Sequence, residues 1–317
     1  VIAVILNPRS RSVRRDPTFA ERLRRICGPT GEVHAPESRE ALRSLVSSLK
    51  GVRHLALHGG DGTGHQVLTA LRQAGVEELP ELMWLHGGTM NTVSRSMGQV
   101  GHAESQLSAW VTELRGGPSL LRTRRWPLQV DDGNAGFLFG IGIVPRFIEA
   151  YEADGEPTPV KAAVTLGRAV LSAFTGGAFA RSFFRGIEAH VEGDGVVWPR
   201  RAWRILTAGA VDQIGLSFRP FPGVLRHPGQ MHVFGSASSP VGFARDLVPL
   251  FRGQPARDPG AHDQVCRRLV IEADEPLRYN LDGDLYTAGR RLTVETGAPA
   301  TFVLAPGARP PENVLGP

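Results

Sequence analysis

The stretch Leu55-Ala56-Leu57-His58-Gly59-Gly60-Asp61-Gly62-Thr63 constrains this chain more than any other part of it. Four apolar or strand-compatible residues run into a turn with three glycines and one acid, and a helical pattern follows. Glycines let a backbone approach a ligand closely, and the start of a helix presents unpaired N–H groups to an anion. A carboxylate at the tip of such a turn suits a nucleotide-bound Mg²⁺ or a reacting hydroxyl. The segment reads as a triphosphate cradle. The plainer reading is a capped strand–turn–helix connection, since Asp-Gly is a turn dipeptide and Thr caps helices well.

Two further segments favour the cradle. Leu85-His86-Gly87-Gly88-Thr89-Met90-Asn91-Thr92 repeats the strand, glycine pair and helix about one αβ unit later, so both turns can lie along one sheet edge. Tyr279-Asn280-Leu281-Asp282-Gly283-Asp284-Leu285-Tyr286 places two acids around a glycine between apolar runs. By itself this last segment is equally a β-hairpin with an Asp-Gly turn.

Periodicity divides the chain. Over the first ~120 residues, short apolar runs at 1–6, 32–35, 53–58 and 82–86 alternate with helical patterns at 17–27, 38–50, 63–74 and 102–115, the signature of a parallel sheet covered on both faces. Val1–Leu6 reads as a first strand and not as a leader. Gly116-Gly117-Pro118 marks a boundary. Beyond it, strand-like runs recur at 186–192, 203–209, 213–219, 230–235, 266–273, 276–281, 284–287, 291–296 and 300–304, with Asp131-Asp132-Gly133-Asn134 as a hairpin turn. That density of β-runs predicts an antiparallel sandwich. Residues 160–184 interrupt it with an apolar helical stretch carrying Lys161, Arg168 and Arg181 and no acid. Such a helix either packs its apolar face on the sandwich or rests on a membrane surface. Gly176-Gly177 allows it to bend.

At this point the chain resembles the diacylglycerol kinase and sphingosine kinase superfamily, in its bacterial lipid-kinase branch. The matching elements are Asn7-Pro8, Gly59 to Thr63, Gly88-Thr89-Met90-Asn91 and Asp282-Gly283-Asp284. The resemblance implies an α/β, Rossmann-like domain of the NAD kinase and diacylglycerol kinase type over residues 1–119. A β-sandwich lipid domain follows over 120–305, with 306–317 as a disordered tail. It implies ATP and Mg²⁺ as cofactors and phosphoryl transfer to the hydroxyl of diacylglycerol or a similar lipid. Asn7, Arg9, Ser10, Gly59, Gly60, Asp61, Gly62, Thr63, Gly88, Thr89, Asn91 and Asp284 would bind the nucleotide, and Asp61 and Asp284 the metal. Asp282 and Asp61 would be catalytic, Asp282 as general base, with the two roles open to exchange. The acidic turns would meet on one ATP·Mg²⁺ in a crevice between two lobes. Asp61→Asn and Asp282→Asn should then abolish transfer and leave the fold intact.

The chain departs from the family pattern in places. Arg9-Ser10-Arg11-Ser12 lacks the usual glycine, Thr92 stands where many members have Asp, and Asp284 replaces the longer Glu. Pro228-Gly229-Gln230-Met231-His232 lacks the acid of a structural Mg²⁺ site. Gly140-Ile141-Gly142-Ile143-Val144-Pro145-Arg146 has no acid to hold a sphingoid amine.

Composition narrows the partners. Of 317 residues, 41% are hydrophobic and 21% charged, and the net charge of +5 comes mostly from arginine. The basic surface suits anionic headgroups or nucleotides. No zinc-finger spacing, RNP motif or helix-turn-helix signature supports nucleic acid. Cys27 and Cys266 lack metal spacing, consistent with a reduced compartment. The expected location is therefore cytoplasmic, peripheral to the inner face of the membrane. The expected partners are the lipid substrate and an anionic surface, with a homodimer left open. Alternatives to a lipid kinase are a nucleotide- or lipid-binding homologue without turnover, and a small-molecule kinase of the NAD kinase type.

Overall fold

The computed structural model describes residues 2–49, 51–76, 78–88, 91–153, 158–311 and 314–316. The first elements are β1 (Ile2–Leu6), α1 (Arg11–Arg15), α2 (Phe19–Cys27), β2 (Gly31–His34), α3 (Arg39–Ser48), β3 (His54–Gly59) and α4 (Asp61–Gln73). They continue with β4 (Glu81–His86), α5 (Thr92–Ser96), α6 (Ala103–Leu114), β5 (Leu121–Arg125), β6 (Leu128–Val130), β7 (Ala135–Gly136) and β8 (Leu138–Gly142). Then come α7 (Ile143–Glu152), α8 (Pro159–Thr175), α9 (Ala178–Phe183), β9 (Ile187–Gly193), β10 (Val196–Val197), β11 (Arg201–Trp203) and β12 (Ile205–Gly209). The chain closes with β13 (Met231–Ser236), α10 (Pro240–Phe251), β14 (Ala261–Cys266), β15 (Arg268–Ala273), β16 (Arg278–Leu281), β17 (Asp284–Thr287), β18 (Arg291–Thr296), β19 (Ala300–Leu304) and β20 (Val314–Gly316).

Two units result. The first comprises residues 1–127, 133–136 and 298–317; the second comprises 128–132 and 137–297. The first unit is built on a sheet of order β2-β1-β3-β4-β19-β5-β20. β2, β1, β3 and β4 are parallel, while β5 is antiparallel to both β19 and β20. β1 and the central residues of β3 and β4 are buried, as expected of strands covered on both faces. Ile2, Val4, Leu6, Ala56, Met83 and Leu85 form the core with Leu23 of α2 and Trp110 of α6. Because β2 and β3 flank β1 on opposite sides, the sheet reverses its winding at β1 and β3. Ligands in such sheets bind beyond the carboxyl ends of the strands at that reversal. Asn7 follows β1 there, and Gly60-Asp61 follows β3.

The far side of this sheet departs from the sequence expectation. β19, read as part of the sandwich, lies between β4 and β5, with Phe302 in register with Leu82 and Thr123. The run from Arg122 to Val130 splits at Trp126-Pro127: β5 joins the first unit and β6 the second. Within the segment expected as a disordered tail, Arg309 donates its amide to the Gly98 carbonyl, and β20 pairs with β5. An open strand edge recruits whatever backbone can reach it, even from a Pro-rich segment.

The second unit contains two antiparallel sheets. One runs β10-β9-β15-β18-β6, with β11 also on β9; the other runs β14-β13-β12-β8-β16-β17. β9 alternates strictly between buried and exposed residues, so one of its faces is covered and the other open. β13 is buried along its whole length. Trp198 and Trp203 close against one face of β13 at Gly235. On the other side, Phe234 packs with Ile143, Ala169, Phe183, Phe184 and Phe243 from α7 to α10. Helices α7 and α10 are additions to the sequence reading, although Ser239 caps α10 through Gly242 and Pro240 opens it. The run 213–219 holds a 3₁₀ turn at Gly215–Ser217 and no strand, since Leu216 and Ser217 adopt φ of 60° and 62°. Among the described residues, no helix is long and apolar enough to cross a membrane.

Candidate phosphate-binding site

The site in the first unit begins with Asn7. Its side-chain Nδ2 donates to the Thr63 hydroxyl at 2.8 Å, and its Oδ1 accepts the Arg9 amide at 2.9 Å. The end of β1 is thus tied to the first turn of α4. The Arg9 guanidinium reaches the Glu37 carbonyl at 3.4 Å, and buried Ser10 donates its amide to the Asn7 carbonyl. Thr63 donates its own amide to the Gly60 carbonyl at 3.0 Å. That amide closes the turn, and Thr63 serves the site as a brace.

Gly60 caps α4 without a side-chain hydrogen bond, and Gly62 lies in the helix's first turn. Gly60 thus supplies no side-chain cap to the start of α4, where the positive end of the helix dipole favours an anion and Asp61 is the acid of the first turn. The glycines have a second job that the sequence does not announce. A β-carbon on Gly88 would sit 2.3 Å from the Gly60 α-carbon, and one on Gly59 would sit 2.2 Å from the Thr63 hydroxyl. Gly87 also donates its amide to the Gly59 carbonyl at 3.2 Å. The two glycine turns lie backbone to backbone, so the small residues serve each other before any ligand.

Asp61 is the residue whose role changes most. Its Oδ2 accepts the Thr92 amide at 2.9 Å and its Oδ1 the Val93 amide at 3.0 Å. The first acid of α4 therefore caps α5. Burial raises the Asp61 pKa from the ordinary carboxylate range, opposed by the Val93 and Thr92 amides and the Thr92 side chain. Asn91, at φ 48°, closes the second turn: its Oδ1 accepts the Gly88 amide at 2.9 Å and its Nδ2 donates to the Gly88 carbonyl at 3.0 Å. Asparagine tolerates this left-handed backbone and carries both a donor and an acceptor. Thr89, expected in the nucleotide wall, lies outside the described residues.

His58 sits fully buried under the turn, with Nε2 3.1 Å from the Ser12 hydroxyl and its ring against Phe19. Burial lowers its pKa to about 4. His65 belongs to none of the motifs that stand out in the sequence. Its Nδ1 contacts the Ala135 carbonyl at 2.7 Å, and Thr69 donates to the same carbonyl while accepting the Ala135 amide. These bonds hold β7 on α4. The spacing of four between His65 and Thr69 on a helix, one turn beyond the glycines, was the available signal.

In the second unit, Asp282-Gly283 joins β16 to β17 as a two-residue hairpin turn, with φ of 50° and 100° at its two positions. Both values are positive, as a type I′ turn requires. The Asp282 carboxylate accepts the amides of Phe137 and Leu138, each at 2.8 Å, and its own amide donates to the Leu138 carbonyl. Asp284 opens β17, and its carbonyl accepts the Asn280 side-chain amide at 3.2 Å. The charge of Asp284 also helps raise the pKa of Glu152, after burial. Both expected catalytic acids thus accept two consecutive backbone amides, so Asp61→Asn and Asp282→Asn would each cost one of those amides its acceptor. Among the described residues, no group of three or more His, Cys, Asp or Glu side chains is placed to hold a metal ion.

The mostly parallel sheet of the first unit thus reverses its winding beside the Gly60 turn, the position at which open α/β sheets receive ligands. Residues 1–116 match the family "Diacylglycerol kinase catalytic domain". The whole chain has the fold of two solved structures. One is a putative diacylglycerol kinase from Bacillus anthracis str. Sterne: 16% identity, 96% of this chain and 97% of that one covered, TM-score 0.74. The other, a diacylglycerol kinase from the same strain, gives 15% identity, 97% and 98% coverage and a TM-score of 0.65. No curated protein matches the chain.

Proposed function

We propose that this protein is an ATP-dependent lipid kinase that transfers a phosphoryl group to the hydroxyl of diacylglycerol or a similar lipid. The observation that carries this reading is the catalytic-domain match over residues 1–116, where the motif residues gather beyond β1, β3 and β4. Gly60, Gly62 and the start of α4 orient the phosphates. Asn7 and Asn91 hold the two turns in place, with Arg9 and Ser10 beside them. ATP and Mg²⁺ supply the phosphoryl group and the neutralising charge.

The residues present fit a phosphate better than a protein-built metal site. Asp61 retains acceptor capacity beyond its two amides, since each carboxylate oxygen carries two lone pairs. It would contact an ion carried in by the phosphates, the common situation for Mg²⁺. Asp284 is the second acid assigned to that ion, and Asp282 the acceptor of the lipid hydroxyl proton, both by resemblance. A general base in that position contributes roughly 10²–10⁴-fold.

Incubation with radiolabelled ATP, Mg²⁺ and a panel of hydroxyl lipids tests this reading, with Asp282→Asn as control. Label in one lipid class, lost in the control, supports it. The engagement of both acids with backbone amides favours a second reading, a nucleotide-binding homologue without turnover. Thermal stabilisation by ATP·Mg²⁺ with no labelled lipid would establish that second reading.

A further inference from the structure

Helix α8 is built inside out. Its small residues Ala162, Thr165, Ala169 and Ser172 are buried, while Val160, Val164, Leu171 and Phe174 are 74%, 56%, 65% and 58% exposed. At the α-helical repeat these four large side chains fall within an arc of about 80°. Gly167 lies in the same arc with open space above it. Phe179 of α9 and Val248 and Phe251 of α10 add exposed apolar surface at 44%, 57% and 47%. α8 packs on both α9 and α10.

The exposed charges on α8, α9 and α10 have one sign among the described residues, while the acids of the neighbouring α7 are Glu149, paired with Arg278, and Glu152. Arg168, Arg181, Arg245 and Arg252 are exposed, and residues 158–187 contain no acid. The single acid of α10, Asp246, is buried and spent on the amides of Arg257 and Asp258. Apolar side chains rimmed by arginine match the boundary of an anionic bilayer, where acyl chains take the first and headgroups the second. A second copy of the chain is the poorer occupant. A two-fold contact through this face would set the same arginines against themselves.

We infer that the outer face of α8, with Phe179 and the exposed side of α10, is a docking surface for anionic membranes. The helix lies along the surface and does not cross it. Docking does not depend on phosphoryl transfer and is read without it.

The test is co-sedimentation of the full chain with phosphatidylcholine vesicles and with vesicles containing about 30% phosphatidylserine. The wild type binds the anionic vesicles at least about tenfold better, and added salt weakens binding. Leu171→Glu/Phe174→Glu loses vesicle binding with an unchanged Tm, because both side chains face solvent. Arg168→Glu with Arg181→Glu removes the preference for anionic vesicles. Equal binding by Leu171→Glu/Phe174→Glu and wild type overturns the assignment. So does a wild-type dimer in light scattering that this variant converts to monomer without any vesicle binding. Turnover on a short-chain, micelle-free lipid stays at the wild-type level in these variants. Absence of turnover in all proteins would count against the kinase reading and leave the vesicle result standing.

Discussion

Asp61 and Thr92 face each other across the two glycine turns, the Asp61 carboxylate accepting the Thr92 amide at 2.9 Å. The acid of the first turn is therefore the cap of the helix that follows the second. Asp61→Asn keeps the shape but presents an NH₂ to one of two amides that need an acceptor. We expect a loss of about 1–3 kcal/mol of stability, the cost of leaving a buried donor unsatisfied. Denaturant unfolding checks this, and an unchanged midpoint would show that the clamp contributes nothing. Loss of activity in this variant must accordingly be read beside its stability.

Asp282 makes the same bargain in a hairpin turn. Asn suits the backbone at φ 50° but surrenders one acceptor to Phe137 or Leu138. Ala surrenders both and adds left-handed strain of about 1–2 kcal/mol. Thermal unfolding should rank wild type above Asp282→Asn and Asp282→Asn above Asp282→Ala. Equal stability of the two variants would contradict the geometry.

The glycine pair predicts a different ranking. A β-carbon on Gly88 meets the Gly60 α-carbon at 2.3 Å, whereas one on Gly60 meets the Gly88 α-carbon at 3.2 Å. Gly88→Ala must push backbone from backbone and should cost about 1–3 kcal/mol or more. Gly60→Ala needs a shift of a few tenths of an ångström and should cost under about 1 kcal/mol. Paired urea melts test the order.

His58 makes stability depend on pH in a definite direction. Burial lowers its pKa to about 4, against 6.5 in the unfolded chain. Between those values the unfolded state binds the proton and the folded state does not. The contribution is therefore whole above pH 6.5 and is lost as pH falls toward 4. At about 1.4 kcal/mol per unit it reaches at most about 3.5 kcal/mol. The difference in unfolding free energy between wild type and His58→Gln, followed from pH 7 to 4, should narrow across that window. A constant difference would mean that His58 titrates normally.

Much of the first unit could be read from residues alone. β1, β3, β4 and the helices between them announce themselves by local periodicity, because each is a short stretch whose burial pattern repeats along the chain. The Asp-Gly hairpin at 282–283 is equally local, since its turn chemistry depends on two adjacent residues. Local physics also marked residues 160–184 as helical and Gly176-Gly177 as its break, where φ values of 73° and 98° end α8.

What the residues in order could not reveal is which distant backbone each group would meet. β19 inserts between β4 and β5 because that edge was open, a matter of three-dimensional pairing between segments far apart in sequence. Asp61 and Asp282 read as chemistry from their motifs, yet each also holds two amides of another segment, Thr92 and Val93 or Phe137 and Leu138. Amphipathic periodicity found the faces of α8 but not which one is buried. That was settled by the shape of the surface beneath it, which admits Ala162 and Ala169 and leaves Leu171 and Phe174 to solvent.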